Sequence, residues 1–330
     1  MDLGYDFSIF RIPKLAEKPL VHSCITSPFR KIDSVSMIDD FYSNLIDWSG
    51  EYIFFAVDSS IYFYNFFTET REKIFQSDMN TICSLKCLKQ LNLLAIGSSS
   101  GIVTYIDLTT LKSSKHLYHR GRISCFATCE NKIITGSRDR KSKVIDIRTK
   151  MPISTYLFHT QEVCGVSINA DQKHLATGGN DNKIFVVDVR NDSTPFIKIE
   201  DHKAAVKALS WSPKNSSYFV SGGGTADKTM KVWDINASTP LQRSLNYDSQ
   251  ICNVKWLNNN KILSTFGYSN DDIKLLKNFK IEKRFIGHKN RVIHFAVNDD
   301  QSLFVSGSGD SSIKIWEIDN ILDLNDIHIR

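Results

Sequence analysis

The sequence predicts an all-β fold made of repeated four-stranded sheets, and three observations support this prediction. Short runs rich in β-branched and aromatic residues recur along nearly the whole chain, and Gly, Asn, Asp and Ser turns separate them. Apolar residues at helical spacing are almost absent. A large apolar residue followed by an acid recurs about every forty residues, or at twice that interval, at Ile106–Asp107, Ile145–Asp146, Val187–Asp188, Trp233–Asp234 and Trp316–Glu317.

This period is typical of the WD repeat, in which each unit forms one four-stranded blade of a β-propeller. Two units carry a complete tetrad of histidine, serine, aspartate and tryptophan, namely His202, Ser221, Asp227 and Trp233, and His288, Ser306, Asp310 and Trp316. Such groups can satisfy one another's hydrogen bonds when they are buried, whereas a group left without a partner costs about 1–3 kcal/mol. We therefore interpret both tetrads as structural. Two further units, headed by His119 and His159, carry the same pattern with threonine and without tryptophan.

Counting the units predicts one seven-bladed WD-repeat β-propeller over residues 28–320. Ring closure removes exposed sheet edges, so we expect a strand from the N-terminal side, near residues 29–35, to complete the last blade. We expect a flexible arm at residues 1–27 and a flexible tail at 321–330. The predicted units are residues 42–78, 79–118, 119–158, 159–201, 202–246, 247–287 and 288–320.

Composition excludes several classes of protein. The 330 residues carry 41 Lys and Arg against 36 Asp and Glu, and the resulting charge of +5 is too small and too scattered to indicate a nucleic-acid binder. No uncharged apolar run approaches the roughly 20 residues that a membrane span needs, and the first residues are acidic where a signal peptide would be basic. We therefore expect a soluble intracellular protein without a membrane or nucleic-acid partner.

The seven cysteines match neither a disulfide framework nor a metal site. Cys83 and Cys87 lie in one predicted strand, and Cys125 and Cys129 lie in another, where four residues of strand separate two thiols by about 13 Å. One zinc ion cannot bridge that distance. We predict that these cysteines are small buried apolar residues, and that the protein holds no metal and no cofactor.

Two patterns resemble enzyme motifs. The Ser/Thr-His-Asp pattern recurs in four units, whereas an enzyme needs one active site, so a structural role explains it better. Residues 97–101 match the G-x-S-x-G nucleophile elbow, and a hydrolase with Ser99 as its nucleophile is therefore an alternative. That motif requires a strand followed by a helix, whereas here it joins two predicted strands. We predict that the protein is not an enzyme.

Several stretches resemble one family of propellers. Residues 39–48, Asp-Asp-Phe-Tyr-Ser-Asn-Leu-Ile-Asp-Trp, resemble the start of the first blade in the Fizzy and Fizzy-related family, the substrate-recruiting activators of the anaphase-promoting complex, a ubiquitin ligase. The resemblance extends in colinear order over about residues 27–330. It also includes residues 162–165, 178–182, 222–227 and 249–252 and the terminal pair Ile329–Arg330.

The resemblance implies that the protein recruits cell-cycle proteins such as cyclins and securin for ubiquitination. In the family, one face of the propeller binds the Lys-Glu-Asn degron, and amide, hydroxyl and guanidinium groups suit its Glu and Asn side chains. An ordinary solvated rim is the alternative. The matching positions here are Asn180, Asn182, Thr225, Gln250 and Arg291.

The resemblance also implies a receptor for the destruction box, Arg-x-x-Leu. Asp47, together with Ile46, matches the acid that receives the Arg at the seam between the first and last blades, and the family's second acid aligns with Ser311. A single exposed ion pair contributes about 0–1 kcal/mol, so we expect weaker selection for that Arg than in relatives.

Docking on the ligase is the third implication. Ile329 and Arg330 match the family's tail, which suits the groove of a helical-repeat subunit. Arg11, Ile12 and Pro13 form a degenerate copy of the family's N-terminal docking box, without its Asp and its central aromatic residue. Mitotic checkpoint proteins are further candidate partners, and the implied location is the nucleus and cytoplasm. A generic WD-repeat scaffold of another complex is the alternative function.

Overall fold

The computed structural model of the protein describes residues 21–33, 35–77, 80–190 and 194–319. Within these ranges the chain forms 29 β-strands and one 3₁₀ turn, Lys89–Leu91, and the strands form seven sheets. Six sheets have four strands and one has five. The predicted all-β, seven-bladed propeller is confirmed.

Two strands precede the first blade, β1 (Val21–Thr26) and β2 (Arg30–Ile32). Each of the next three blades is an antiparallel meander of consecutive strands. Blade 1 contains β3 (Ile46–Ser49), β4 (Tyr52–Val57), β5 (Ser60–Asn65) and β6 (Arg71–Gln76). Blade 2 contains β7 (Ile82–Leu88), β8 (Leu93–Ser98), β9 (Ile102–Asp107) and β10 (Ser113–Leu117). Blade 3 contains β11 (Ile123–Cys129), β12 (Lys132–Ser137), β13 (Ser142–Asp146) and β14 (Met151–Tyr156).

The remaining blades repeat this arrangement. Blade 4 contains β15 (Val163–Ile168), β16 (His174–Gly179), β17 (Ile184–Asp188) and β18 (Ile197–Ile199). Blade 5 contains β19 (Val206–Trp211), β20 (Tyr218–Gly223), β21 (Thr229–Asp234) and β22 (Leu241–Asn246). Blade 6 contains β23 (Ile251–Trp256), β24 (Ile262–Phe266), β25 (Ile273–Lys277) and β26 (Lys280–Phe285). Blade 7 contains β27 (Val292–Val297), β28 (Leu303–Ser308) and β29 (Ser312–Glu317).

Burial decreases from the inner strands of a blade to its outer strand. In β4 four consecutive residues are buried, because neighbouring blades cover both faces of the sheet and both faces therefore need apolar side chains. The outer strands β6 and β10 are mainly exposed and carry Arg, Glu, Lys and Ser. The hydrophobic core therefore lies between adjacent blades.

The ring closes as the sequence predicts. β2 pairs antiparallel with β29, with Arg30 opposite Ile315, and so becomes the outer strand of blade 7. The predicted arm at residues 1–27 needs a correction, because β1 pairs in parallel with β26 as a fifth strand of blade 6. An outer strand presents unpaired N–H and C=O groups, and β1 satisfies one row of them.

Both predicted tetrads form. His202 lies between Asp227 and Ser221, at 2.5 Å through Nδ1 and 2.6 Å through Nε2, and Trp233 Nε1 donates to the same Ser221 hydroxyl at 2.7 Å. Burial lowers the pKa of His202, which keeps the imidazole neutral. Blade 7 repeats the arrangement at 3.0, 2.8 and 2.7 Å with His288, Asp310, Ser306 and Trp316.

The G-x-S-x-G match at residues 97–101 is explained by packing. The motif forms the turn between β8 and β9, where Ser99 is exposed, so it lacks the helix that a nucleophile elbow requires. Gly101 has a φ of +86°, and a Cβ there would clash with the carbonyl of His119. A Cβ on Gly97 would clash with Ser84 and Ile123.

The cysteines are free thiols, and six of them are buried. Cys83 and Cys87 both lie in β7, and Cys125 and Cys129 both lie in β11, as predicted. In the part of the chain that the structure describes, no group of three or more His, Cys, Asp and Glu residues could hold a metal ion. No helix among the described residues is long and apolar enough to cross a membrane.

Candidate functional site

Chain direction fixes which loops share a face of the propeller. Successive strands of a meander are antiparallel, so the loops before the first strands and the turns between second and third strands lie on one face, which we call the upper face. The turns that follow the first strands lie on the opposite, lower face. Asn180, Asn182 and Thr225 lie between second and third strands, whereas Gln250 and Arg291 precede first strands. All five predicted residues therefore belong to the upper face.

The chain just before β3, residues 39–44, extends across the upper end of the central channel, and we call it the lead segment. Asp39 Oδ1 accepts a hydrogen bond from Arg291 Nε of blade 7 at 3.0 Å. Three residues later, the Tyr42 hydroxyl donates to Asn180 Oδ1 of blade 4 at 2.6 Å. Because three residues span at most about 11 Å, the lead segment holds Asn180 and Arg291 on one rim.

Two other turn residues of the upper face, Asn182 of blade 4 and Thr225 of blade 5, differ from Asn180 in having no side-chain hydrogen bond in the described part of the structure. Asn180 itself is half-buried and also donates from Nδ2 to Gln161 Oε1 at 2.7 Å. Asn182 is half-buried at a φ of +65°, and Thr225 is exposed. The upper face thus offers a half-buried amide and an exposed hydroxyl in addition to the amide of Asn180, whose orientation is fixed.

Gln250 and Arg291 lie against one another across Gly267. Gln250 is 3% exposed, and its Oε1 has no hydrogen-bond partner among the described residues. The Arg291 guanidinium stacks on the exposed ring of Tyr268, at 4.9 Å from the ring centre. Burial lowers the pKa of Arg291, but Asp39 outweighs this effect and the pKa is raised. The site therefore combines a permanent cation with a buried, unused acceptor.

Sequence reasoning missed an ionic network that anchors the lead segment. Arg122 of blade 3 donates from Nε and Nη2 to the Glu162 carboxylate at 2.7 and 2.8 Å, and from Nη1 to Asp40 at 2.7 Å. The Arg122 guanidinium also lies 4.9 Å from the centre of the Tyr42 ring. A bidentate pair of this kind fixes the relative orientation of both side chains and is stronger than a single hydrogen bond.

The channel beneath the lead segment holds a buried lysine. Lys207 of β19 is 5% exposed, and its Nζ donates to the carbonyls of Ser43 and Ile293 at 2.8 and 3.3 Å. Burial lowers the pKa of Lys207 to about 8. Phe41, itself 7% exposed, covers this ammonium from the upper side, with 5.6 Å between Nζ and the ring centre. Phe41 and Lys207 thus tie the lead segment into the channel.

Comparison with known proteins identifies the family at this point. The family described as CDC20/Fizzy WD40 domain matches residues 32–316. The chain belongs to the CDC20/Fizzy family. The chain is 34% identical over 301 residues to Protein FIZZY-RELATED 1 of Arabidopsis thaliana. The match covers 89% of this chain and 63% of the relative. It is 35% identical over 298 residues to APC/C activator protein CDH1 of Saccharomyces cerevisiae. That match covers 88% of this chain and 52% of the relative.

A solved structure agrees with this family membership. A chain of the Crystal Structure of Mitotic Checkpoint Complex superposes with a TM-score of 0.85 at 27% identity, and the match covers 93% of this chain and 100% of that chain. The present chain spans between half and two thirds of the length of the two curated relatives above.

One residue predicted from the CDC20/Fizzy resemblance lies elsewhere than expected. Asp47 is 6% exposed, and its carboxylate accepts from Cys87 N at 2.8 Å and pairs with Lys86 Nζ at 2.9 Å, both of blade 2. Its neighbour Ile46 packs instead towards blade 7, against Gly307. Side chains alternate along a strand, so Ile46 and Asp47 cannot face the same seam.

The prediction of a destruction-box receptor therefore needs correction. Ile46 is also buried, at 4% exposure. Ser311 is exposed on the upper turn between β28 and β29, and its carbonyl accepts from Val35 N at 3.1 Å. Of the three predicted residues, only Ser311 is exposed, and the Asp47 carboxylate is already paired with Lys86 of blade 2.

The predicted ligase-docking residues lie outside the described residues. These are Arg11, Ile12 and Pro13 of the N-terminal box, and Ile329 and Arg330 of the tail.

Proposed function

We propose that the chain is the WD40 part of a substrate-recruiting activator of the anaphase-promoting complex. Membership of the CDC20/Fizzy family and the similarity to a relative named APC/C activator protein CDH1 support this function. The observation that carries it is the upper rim, on which the lead segment joins Asn180 of blade 4 to Arg291 of blade 7.

The upper rim suits a Lys-Glu-Asn degron. Arg291 supplies a guanidinium for the Glu carboxylate, because its planar donors match a carboxylate. Asn180 and Asn182 supply amides that can pair with the degron's Asn side chain, and Thr225 supplies an exposed hydroxyl. Gln250 lies beneath this surface, where its buried side chain packs against Gly267 beside Arg291.

An adaptor of this kind needs no bond chemistry. Contacts between solvated side chains are individually weak, but tethering raises the effective concentration of the bound protein beside the ligase to the millimolar order. The substrates on this proposal are degron-bearing cell-cycle proteins such as cyclins and securin, in the nucleus and cytoplasm. Mitotic checkpoint proteins are proposed partners, supported by the structural similarity to a chain of the Mitotic Checkpoint Complex.

Binding of a fluorescent Lys-Glu-Asn peptide to the full chain tests the rim. Asn180→Ala with Arg291→Ala should weaken binding at least tenfold. The double variant should remain folded but be less stable than the native chain, because it loses hydrogen bonds to Tyr42, Gln161 and Asp39 that contribute about 1 kcal/mol each. A peptide with the three residues replaced by Ala is the control. Equal affinity of the double variant and the native chain would indicate an ordinary solvated rim.

Ligase docking is tested separately. We propose that Ile329 and Arg330 anchor the chain in the groove of a helical-repeat subunit, since the Arg330 guanidinium offers polar contacts and Ile329 offers an apolar one. Deleting these two residues should abolish co-purification with ligase subunits without changing the circular dichroism spectrum. Absence of ligase subunits from the native pull-down would favour a scaffold of another complex.

A further inference from the structure

The lower end of the central channel contains a cavity of about 340 Å³, which we call the lower cavity. The lower ends of the first strands of blades 1, 2, 6 and 7, together with the turn after β27, form its walls. Five charged side chains line it, namely Lys86, Lys89, Lys255, Asp47 and Asp299. The cavity is thus separated from the upper rim by the length of the first strands.

Two of the three lysines are fixed by carboxylates. Lys86 Nζ lies 2.9 Å from both carboxylate oxygens of Asp47. Lys89, in the 3₁₀ turn after β7, pairs with Asp299 of the turn after β27. These pairs hold both ammonium groups at the cavity while leaving some of their N–H donors unused, because an ammonium has three.

Lys255 differs from the other two. It extends from β23 into the cavity, and the structure gives it no hydrogen bond or ion pair within the described ranges. Lys255 is exposed where it faces the cavity. The surrounding protein and the positive charges of Lys86 and Lys89 lower its pKa, against an opposing effect of Asp47. All three lysine side chains line the same cavity.

Two amide side chains of the wall are partly in use. Asn253 Nδ2 donates to the Ile293 carbonyl, and Gln301 Oε1 accepts from Asn258 N at 2.7 Å. The three lysines are the positively charged groups that line the cavity. A lysine can donate but cannot accept, so a ligand that matches this wall has to supply acceptors and negative charge.

We propose that the lower cavity binds a small phosphate-bearing anion, with Lys86, Lys89 and Lys255 as its cationic contacts. Three lysines against two aspartates leave a positive charge in a concave, partly enclosed site, which concentrates anions. A phosphate group offers more acceptor oxygens and more charge than a carboxylate, and can therefore reach several ammonium groups at once. The volume is near the lower end of the usual range for small-molecule sites, about 300–1,000 Å³, and suits a diphosphate.

Titration calorimetry with pyrophosphate, on the full chain in a chloride buffer, tests this site. The native protein should bind pyrophosphate, and Lys255→Met should weaken binding at least tenfold. Lys280→Met is a matched control, because Lys280 is exposed at the start of β26, the fourth strand of the same blade, and its loss changes the net charge equally. This control should bind within about twofold of the native chain.

A second variant and a second probe complete the test. Lys89→Met should also weaken binding at least fivefold, which covers the case in which Lys255→Met does not fold. The proposal is overturned if the native chain does not bind millimolar pyrophosphate, or if Lys280→Met loses as much affinity as Lys255→Met. It is also overturned if a hexaglutamate peptide binds more tightly than pyrophosphate, since the site would then be an acidic-peptide site. Lys255→Met should bind a Lys-Glu-Asn peptide normally, so this proposal and the upper-face function fail independently.

Discussion

Tyr42 donates a hydrogen bond from its hydroxyl to the side-chain oxygen of Asn180 at 2.6 Å, although the two residues lie 138 positions apart in the chain. The Asn180 Nδ2 group donates in turn to Gln161 at 2.7 Å. An amide has two lone pairs and two N–H groups, so each end of Asn180 keeps one position for a ligand. The lead segment therefore sets the orientation in which Asn180 meets a ligand.

Removing the Tyr42 hydroxyl should loosen this orientation. Tyr42→Phe deletes one hydrogen bond worth about 1 kcal/mol, so we expect the affinity for a Lys-Glu-Asn peptide to fall about fivefold. Fluorescence anisotropy would measure it. Tyr52→Phe, at the lower end of blade 1, is the matched control and should bind normally. Unchanged affinity of Tyr42→Phe would show that Asn180 is oriented by other contacts or does not bind the peptide.

Asp39 competes with an anionic ligand for Arg291. Asp39→Asn keeps the shape of the side chain and removes its charge. The Arg291 guanidinium still donates to the Asp39 carbonyl at 2.9 Å, but it is no longer neutralised and attracts the Glu of a degron more strongly. Because a solvated ion pair contributes about 0–1 kcal/mol, we expect the peptide to bind about two- to fivefold more tightly. The gain should shrink at 1 M salt, where charges are screened over about 3 Å. Weaker binding by this variant would mean that Asp39 positions Arg291 rather than competing for it.

Asp47 is expected to matter for stability and not for ligand binding. Asp47→Asn removes the charge that pairs with Lys86 and weakens the acceptor for Cys87 N, so the free energy of unfolding should fall by about 1–3 kcal/mol. Urea denaturation would measure this loss. In a Lys86→Met background the same substitution should cost less, because the ion pair is already absent. A large loss of Arg-x-x-Leu peptide binding without a loss of stability would restore Asp47 as a receptor residue.

The fold was predictable because its determinants are local and repeated. Each blade carries its own turn residues, and in the tetrad of blade 5 the pairing of Ser221 with His202 and Trp233 depends on one spacing that occurs again in blade 7. The closing strand followed from the same logic, because the last unit contains too few strands to complete a blade. The repeat in the sequence therefore predicts the number of blades and the closing strand, although it gives no long-range contacts.

The features that the sequence did not predict depend on contacts between distant segments. No local pattern pairs Arg122 with Asp40 and Glu162, or adds β1 to the edge of blade 6. The misplacement of Asp47 has a simpler cause, since strand alternation already requires Ile46 and Asp47 to face opposite neighbours. The resemblance to the family identified Asp47 as the matching acid. It did not show towards which neighbouring blade the Asp47 side chain points.

Acid should destabilise the propeller through His294, which lies beneath the lead segment and is 1% exposed. Its Nδ1 accepts from Leu45 N at 3.2 Å, so Nε2 carries the hydrogen and donates to the Ile38 carbonyl at 3.2 Å. Burial, followed by the charge of Lys207, lowers the pKa of His294 to about 3. The folded state therefore disfavours the protonated form, which would lose its acceptor.

The sign of the pH dependence follows from this lowered pKa. The unfolded chain takes up the proton near pH 6.5, whereas the folded chain does so only near pH 3. Stability is thus fully present above pH 6.5 and is lost as the pH falls towards 3, with about 2 kcal/mol lost at pH 5 from this residue. His294→Gln removes the titrating group, so its free energy of unfolding, measured in urea between pH 7 and pH 4.5, should fall less steeply than that of the native chain, even if the variant is less stable at pH 7. Parallel curves for the two proteins would assign the acid sensitivity to other groups, such as the buried histidines of the tetrads.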